Sequence, residues 1–353
     1  MNNDTNTFNN KYQNDQEYGD FSTLKNLDSF SKAKTEYNLQ NFFEIRGQIL
    51  FLPDLTSNYS VHERFAKEIV YYEYHAINYP GHGLTPVKPN LKFDDIVELV
   101  TDYILHHRLD ELIIIGHGFG ALVAAAVTRK IPGNINKLVF VSPLTLDSFK
   151  LVKNYEAMIL PQDLQSLCAS QEAKFHNFNE LTNYSDYQKD LVSELNYLIK
   201  NRNNFLSIFE EVYNKNFLEN AQRLYYEEIQ MVPTLLVLGK NSKLTDLQSD
   251  INYFTDRFDR LKVFEVKNTG YVPFLQASGR YYINVLNFLN NDEFTYEKPT
   301  STVDLNNSNP SEFNRQMNFD NDSDALKISE KVDQKIKKVS WLKKIFKKIF
   351  KLS

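Results

Sequence analysis

The stretch ELIIIGHGFGALVAAAV, from Glu111 to Val127, restricts the fold more than any other part of the chain. Leu112 to Ile115 are aliphatic without interruption, the composition of a strand buried on both faces. Three glycines at alternate positions, Gly116, Gly118 and Gly120, follow at once. They predict a sharp turn, because glycine takes positive φ readily and permits very close backbone approach. ALVAAAV then reads as an apolar helix. Gly116 and Gly120 are expected to let that helix pack against neighbouring strands where a Cβ would clash, and Gly118 is expected at the strained apex.

The flanking sequence repeats this logic. GQILFLPD (47–54) reads as a short strand ending in a breaker, HERFAKEIV (62–70) as helix, YEYHAIN (72–78) as strand and PGHGLTP as loop. FDDIVELVTDYILHH (93–107) places apolar residues at helical spacing, and KLVFVSP (137–143) is another strand. Alternation then stops, and residues 146–230 read as helix throughout. It resumes with PTLLVLG (233–239, strand), LQSDINYFTDRF (247–258, helix), KVFEVKN (262–268, strand) and GRYYINVLNFLNN (279–291, helix). The alternation predicts an α/β fold, a mostly parallel sheet with helices on both faces. The helical insertion predicts a cap over the C-terminal edge of the sheet, where open α/β sheets hold their ligands.

Five segments in this order resemble the α/β-hydrolase superfamily, esterase/lipase-like, over about residues 42–291. FLPDLTSN stands where the family has its HG loop, and Asn78 to Thr85 resembles D-x-P-G-H-G-x-S. GHGFG corresponds to the nucleophile elbow G-x-S-x-G. VPTLLVLGKNS corresponds to the strand ending in G-x-x-D, and KNTGYVPF to the G-H-x-P segment. The resemblance implies a hydrolase fold with a helical cap. It also implies that the catalytic triad would fall on Gly118, Ser242 and Tyr271. None matches serine, acid and histidine. A serine nucleophile needs a base and an acid that orients it, and a phenol with an ordinary pKa near ~10 is a poor base. The seven histidines all lie at or before His176, so none follows the last strand. The loop after the first strand carries Pro53 and Asp54 in place of the HG pair. The backbone N–H groups of Leu55 and Phe119 are expected to form a hole for an anion, with the Asp54 carboxylate opposing a developing negative charge there.

Other candidates in the pocket are His82 and His117. Both are expected to face it, with hydrogen bonds to loop backbone as the favoured role and a base as the alternative. Asp54 pairing with a histidine would leave a polar site without a nucleophile. Asp147 stands where some family members hold an alternative acid, and Ser142 is a strand-end residue. GHGFGA also fits the dinucleotide fingerprint G-x-G-x-x-A, but that requires an acid at the end of the next strand, which ends VFVSP. His106 and His107 close a helix, and no further residues complete a metal site, so neither metal nor cofactor is expected.

Charge is distributed unevenly. The net charge is −5, while residues 334–353 hold eight lysines and no acid, so the remainder carries −5 − 8 = −13. Within KVSWLKKIFKKIFKLS, Leu342, Ile345, Phe346, Ile349 and Phe350 fall on one helical face. Trp341 lies at its edge, and Lys343, Lys344, Lys347 and Lys348 cover the rest. This composition predicts a helix lying on an anionic membrane surface, a partner preferred over nucleic acid because of the large apolar residues. The domain reading is a disordered segment 1–40, a hydrolase-like domain 41–291 with its cap at 146–230, a polar linker 292–333 and the basic amphipathic helix 334–353. The single cysteine, Cys168, fits a reducing compartment, and the N-terminus does not resemble a secretory signal. Together these features predict a cytoplasmic protein, peripheral on the inner face of the membrane. The altered triad predicts a non-catalytic binding or scaffolding protein, with a protein partner or small apolar ligand under the cap. The alternative is an esterase/lipase-type hydrolase of lipid-like acyl substrates with an atypical site.

Overall fold

The computed structural model describes residues 45–82, 85–178 and 185–291. The expectations for residues 1–40, 292–333 and 334–353 lie outside the described residues.

Six strands form one parallel sheet in the order β2-β1-β3-β4-β5-β6. They are β1 (Gly47–Leu52), β2 (Tyr72–Ala76), β3 (Leu112–His117), β4 (Ile135–Val141), β5 (Thr234–Gly239) and β6 (Leu261–Val266). The strand alternation divides the core in two. Leu50, Leu52, Ile114, Leu138, Phe140, Leu236 and Leu238 point to one face, and Ile49, Phe51, Ile113, Ile115, Val139, Val141, Leu235 and Val237 to the other. The first face is covered by α2 (Phe93–His106) and α3 (Phe119–Lys130), the second by α1 (Glu63–Glu68) and, late in the chain, by α11 (Ser278–Leu289). The inner strands are apolar on both faces for this reason. β6 lies at the sheet edge and alternates buried with more exposed residues.

Between β4 and β5 the described residues are mostly helical. It runs through α4 (Leu146–Leu151), α5 (Tyr155–Ile159), α6 (Leu164–Lys174), α7 (Ser185–Val212) and α8 (Lys215–Ala221). α9 (Leu247–Arg257) then links β5 to β6, and the four-residue α10 (Pro273–Gln276) precedes α11. Among the described residues no helix is long and apolar enough to cross a membrane. Strand boundaries differ slightly from the sequence expectation. β4 begins at Ile135 because its first residues continue the pairing with β3, Leu112 lying opposite Ile135 across a register shift.

The strand order reverses direction at β1, whose neighbours are β2 on one side and β3 on the other. This is a topological switch point, where connecting loops diverge and leave a crevice. The register there pairs Leu52 with Gly116. Asp54 and Gly118 each lie two residues beyond that pair, so parallel pairing alone brings them side by side above the sheet.

Candidate active site

The elbow is built by close packing. A Cβ on Gly120 would overlap the Leu52 carbonyl oxygen, and one on Gly116 would lie 2.5 Å from the Gly120 carbonyl oxygen and 2.6 Å from Ala121 Cα. α3 therefore presses directly onto β1 and β3, and Phe119 to Thr128 are all buried. Gly118 sits between strand and helix at φ 54°, ψ −116°, a left-handed conformation that costs other residues on the order of 1–3 kcal/mol. Its N–H donates to the Val141 carbonyl at 3.0 Å, and its carbonyl accepts from Leu144 N–H at 3.1 Å.

The space that a side chain at 118 would fill is occupied. A Cβ there would overlap both Asp54 Oδ1 and the Tyr271 hydroxyl, and would lie 2.5 Å from Asp54 Cγ. The Asp54 carboxylate, 3% exposed, accepts three hydrogen bonds. Leu55 N–H and Phe119 N–H donate to Oδ1 at 2.9 and 2.8 Å. Tyr271 Oη donates to Oδ2 at 3.0 Å. The two amides expected to form an anion hole do converge on one point, and that point holds the protein's own carboxylate. Asp54 was expected to oppose an anion from nearby. Its actual partners are the hole itself and a phenol, and none of its hydrogen bonds reaches a histidine.

Tyr271 is fixed at three places. Its N–H donates to the Lys174 carbonyl at 2.7 Å, tying it to the end of α6 in the cap. Its carbonyl accepts from His117 Nε2 at 3.1 Å, and its hydroxyl holds Asp54. Burial, reinforced by the Asp54 charge, raises its pKa well above the usual phenol value, so it remains a proton donor. The His117 ring lies tilted against it, at 4.7 Å between ring centroids. Burial lowers the His117 pKa. The ring is therefore neutral at pH 7 with its proton on Nε2, which leaves Nδ1 a buried lone pair without a hydrogen-bond partner.

His82 serves the loop that carries Asp54. Thr56 N–H donates to His82 Nε2 at 2.8 Å, and Nδ1–H donates to the Pro80 carbonyl at 3.1 Å. Burial pulls its pKa down to about 4, consistent with a neutral ring that accepts at one nitrogen and donates at the other. Thr56 Oγ1 also reaches the Ile159 carbonyl at 2.9 Å in the cap. Residues 54–56 are thus pinned from both sides of the crevice.

The third position expected from the motif spacing, Ser242, forms part of a turn. Its N–H donates to the Gly239 carbonyl at 3.1 Å and its Oγ accepts from Leu244 N–H at 3.3 Å. Asp147 receives Lys150 Nζ at 3.2 Å on the surface. Neither joins the cluster at the elbow. Sequence reasoning missed the Thr56–His82 clamp and the donor role of Tyr271, and the signal for both was weak. Only the Leu52–Gly116 register, read together with Asp54 two residues past its strand, would have placed the carboxylate.

Comparison with known proteins supplies the family. A family model described as alpha/beta hydrolase fold matches residues 49–278. Two relatives, each named "Putative esterase/lipase 2", come from Mycoplasma genitalium and Mycoplasma pneumoniae. The first is 27% identical over 61% of this chain and 77% of its own length. The second is 27% identical over 70% of this chain and 90% of its own. Among solved structures, a meta-cleavage product hydrolase from Pseudomonas fluorescens IP01 superposes with a TM-score of 0.58 at 15% identity. It covers 70% of this chain and 92% of that one, a likeness of fold. The esterase/lipase names of the relatives overturn the expectation of a non-catalytic binding or scaffolding protein. That expectation counted side chains at three motif positions and overlooked a carboxylate delivered to one of them from another strand. The chain is a member of the α/β-hydrolase fold family.

Proposed function

We propose that this protein is a carboxylic ester hydrolase acting on lipid-like acyl substrates, through an atypical site that replaces the serine, acid and histidine of its family with Asp54 and Tyr271 at a glycine elbow. The observation that carries this reading is the Asp54 carboxylate held by the Leu55 and Phe119 amides, in the space a side chain at 118 would take. Ester hydrolysis needs an oxygen nucleophile or base, a proton donor for the departing alkoxide and fixed N–H dipoles where negative charge gathers. Asp54, Tyr271, and the Leu55 and Phe119 amides meet those three needs within one cluster. The esterase/lipase names of the relatives support the reaction class. Cap contacts at Lys174 and Ile159 enclose the cluster, so acyl chains reach it by displacing cap helices, as water-excluding lids in other enzymes do.

The test is direct. The full chain should release p-nitrophenolate from p-nitrophenyl butyrate above a heat-denatured blank. It should also continue to do so after incubation with a fluorophosphonate probe, because position 118 offers no serine to phosphonylate. Absence of turnover, or inactivation by stoichiometric labelling, contradicts the proposal.

The basic amphipathic segment 334–353 supports a second part of the reading: the enzyme works at an anionic membrane surface, on the inner face of the cell membrane. Each lysine near such a surface contributes about 1 kcal/mol. Deleting residues 334–353 should abolish sedimentation with phosphatidylglycerol-containing vesicles while leaving turnover of a soluble ester intact. Equal sedimentation of the truncated form contradicts it.

A further inference from the structure

The two oxygens of Asp54 are not equivalent. Oδ1 is held by two backbone N–H groups, Leu55 at 2.9 Å and Phe119 at 2.8 Å. Oδ2 has a single donor, the Tyr271 hydroxyl at 3.0 Å. The loop that carries the carboxylate is held in place. The Asp54 backbone carbonyl accepts from Ser57 N–H at 3.0 Å, and Thr56, two residues on, is clamped by His82 and by the Ile159 carbonyl. The group also fills the space that a side chain at the elbow apex would occupy, which the glycine at φ 54° leaves open.

Resting on the reading of the site as an ester hydrolase, we infer that Asp54 is its covalent nucleophile, with Oδ2 forming the acyl bond and the Leu55 and Phe119 amides stabilising the breakdown of the acyl-enzyme at Asp54 Cγ rather than charge on the substrate's carbonyl. In the first step Oδ2 bonds to the acyl carbon, the ester C–O bond breaks, and the departing alkoxide takes the Tyr271 phenolic proton. This yields the alcohol, a mixed anhydride at Asp54 and a Tyr271 phenolate. In the second step a water gives a proton to that phenolate and its oxygen bonds to Cγ. The negative charge then resides on Oδ1, already at hydrogen-bond distance from both amides. Collapse breaks the Cγ–Oδ2 bond, so the released carboxylate carries the old Oδ2 and Asp54 keeps the oxygen from water. Loss of one proton restores the Asp54 carboxylate. The sum is ester plus water giving alcohol, carboxylate and a proton.

The position of the hole decides where water attacks. Two N–H groups surround the oxygen on Cγ, while the substrate carbonyl has no such pair, since those amides are already engaged.

This assignment is tested on the wild-type full chain by a single turnover in H2 18O, with enzyme in excess over p-nitrophenyl butyrate, followed by digestion and mass spectrometry. The expected result is one 18O in the peptide containing Asp54 and none in the butyrate of that first turnover. Butyrate labelled in the first turnover with an unlabelled Asp54 peptide overturns the inference, because water has then attacked the acyl carbon and not Asp54 Cγ. In that case the hydrolase reading still stands. Absence of p-nitrophenol release overturns the assignment and the hydrolase reading together.

Discussion

Two buried aspartates, Asp54 after β1 and Asp250 in α9, have partners that differ in kind. Asp54 receives two backbone N–H groups and one phenol. Asp250, in the first turns of α9, receives two aliphatic hydroxyls, Thr145 Oγ1 at 2.5 Å and Ser148 Oγ at 2.7 Å. Ser148 Oγ in turn accepts from Asp246 N–H at 3.1 Å. A hydroxyl can donate to a carboxylate or rotate to accept from a carboxylic acid, whereas an amide N–H can only donate. The Asp250 site therefore tolerates either protonation state, and burial pushes its carboxyl up to about 7 against the pull of those hydroxyls. At Asp54, Oδ1 faces two N–H groups and is committed to accepting. One arrangement fastens the first cap helix, α4, to α9. The other presents a carboxylate at the crevice where ligands of α/β sheets bind. Burial of an acid does not by itself mark a functional site; the chemistry of its donors distinguishes the two.

Replacing each acid separates these roles. Asp54→Asn keeps the shape and removes the anionic oxygen, and should lower kcat/KM for p-nitrophenyl butyrate by about a thousandfold, roughly 4 kcal/mol of transition-state stabilisation. An Asp54→Asn protein that keeps its activity and loses only stability would place Asp54 in the same structural class as Asp250. Tyr271→Phe removes one donor from Oδ2 and the proton source for the alkoxide, with the ring left to pack on His117. The expected loss in kcat/KM is about ten- to a hundredfold, measured by steady-state kinetics, the scale of one buried hydrogen bond to a charged group.

Asp250→Asn should change stability and leave turnover within about twofold. Its carboxyl is raised from the ordinary 3.8 to about 7 in the folded protein. The folded state therefore keeps a proton that the unfolded chain loses between those values. The resulting stability is complete below the unfolded pKa and declines as pH rises toward about 7, by at most about 1.4 kcal/mol per pH unit. The asparagine protein lacks that decline. Its urea midpoint should match wild type near pH 4 and exceed it at pH 8. Parallel midpoints across that range would mean that Asp250 does not hold its proton on folding.

Much of this molecule was readable from local pattern. The branched-aliphatic runs of β1, β3, β4 and β5 and the glycine spacing at 116, 118 and 120 follow from strand burial and close helix packing, both carried by adjacent residues. Asp54, Leu55, Phe119, Gly118 and Tyr271 were also individually identifiable. Their relation was not. Asp54 meets Phe119 through the pairing of Leu52 with Gly116, and Tyr271 reaches Asp54 across 217 residues of sequence. Motif spacing states which loop a residue occupies, not which oxygen faces which amide. The same limit applies at Ser242, placed by counting from Gly239 and held within its own turn. It applies again at Asp250, whose hydroxyl partners lie 105 and 102 residues away.

The central claim is that the reactive group at the elbow comes from Asp54 and requires glycine at 118. Gly118→Ala tests it with one methyl group. That carbon would overlap Asp54 Oδ1 and the Tyr271 hydroxyl, so the carboxylate must leave its amides while the alanine adds no chemistry. The measurement is kcat/KM for p-nitrophenyl butyrate beside a circular-dichroism melt that reports folding. The account predicts a folded protein with activity reduced at least about a hundredfold, the scale of losing an oxyanion-hole contact. A folded Gly118→Ala protein with wild-type activity would contradict it.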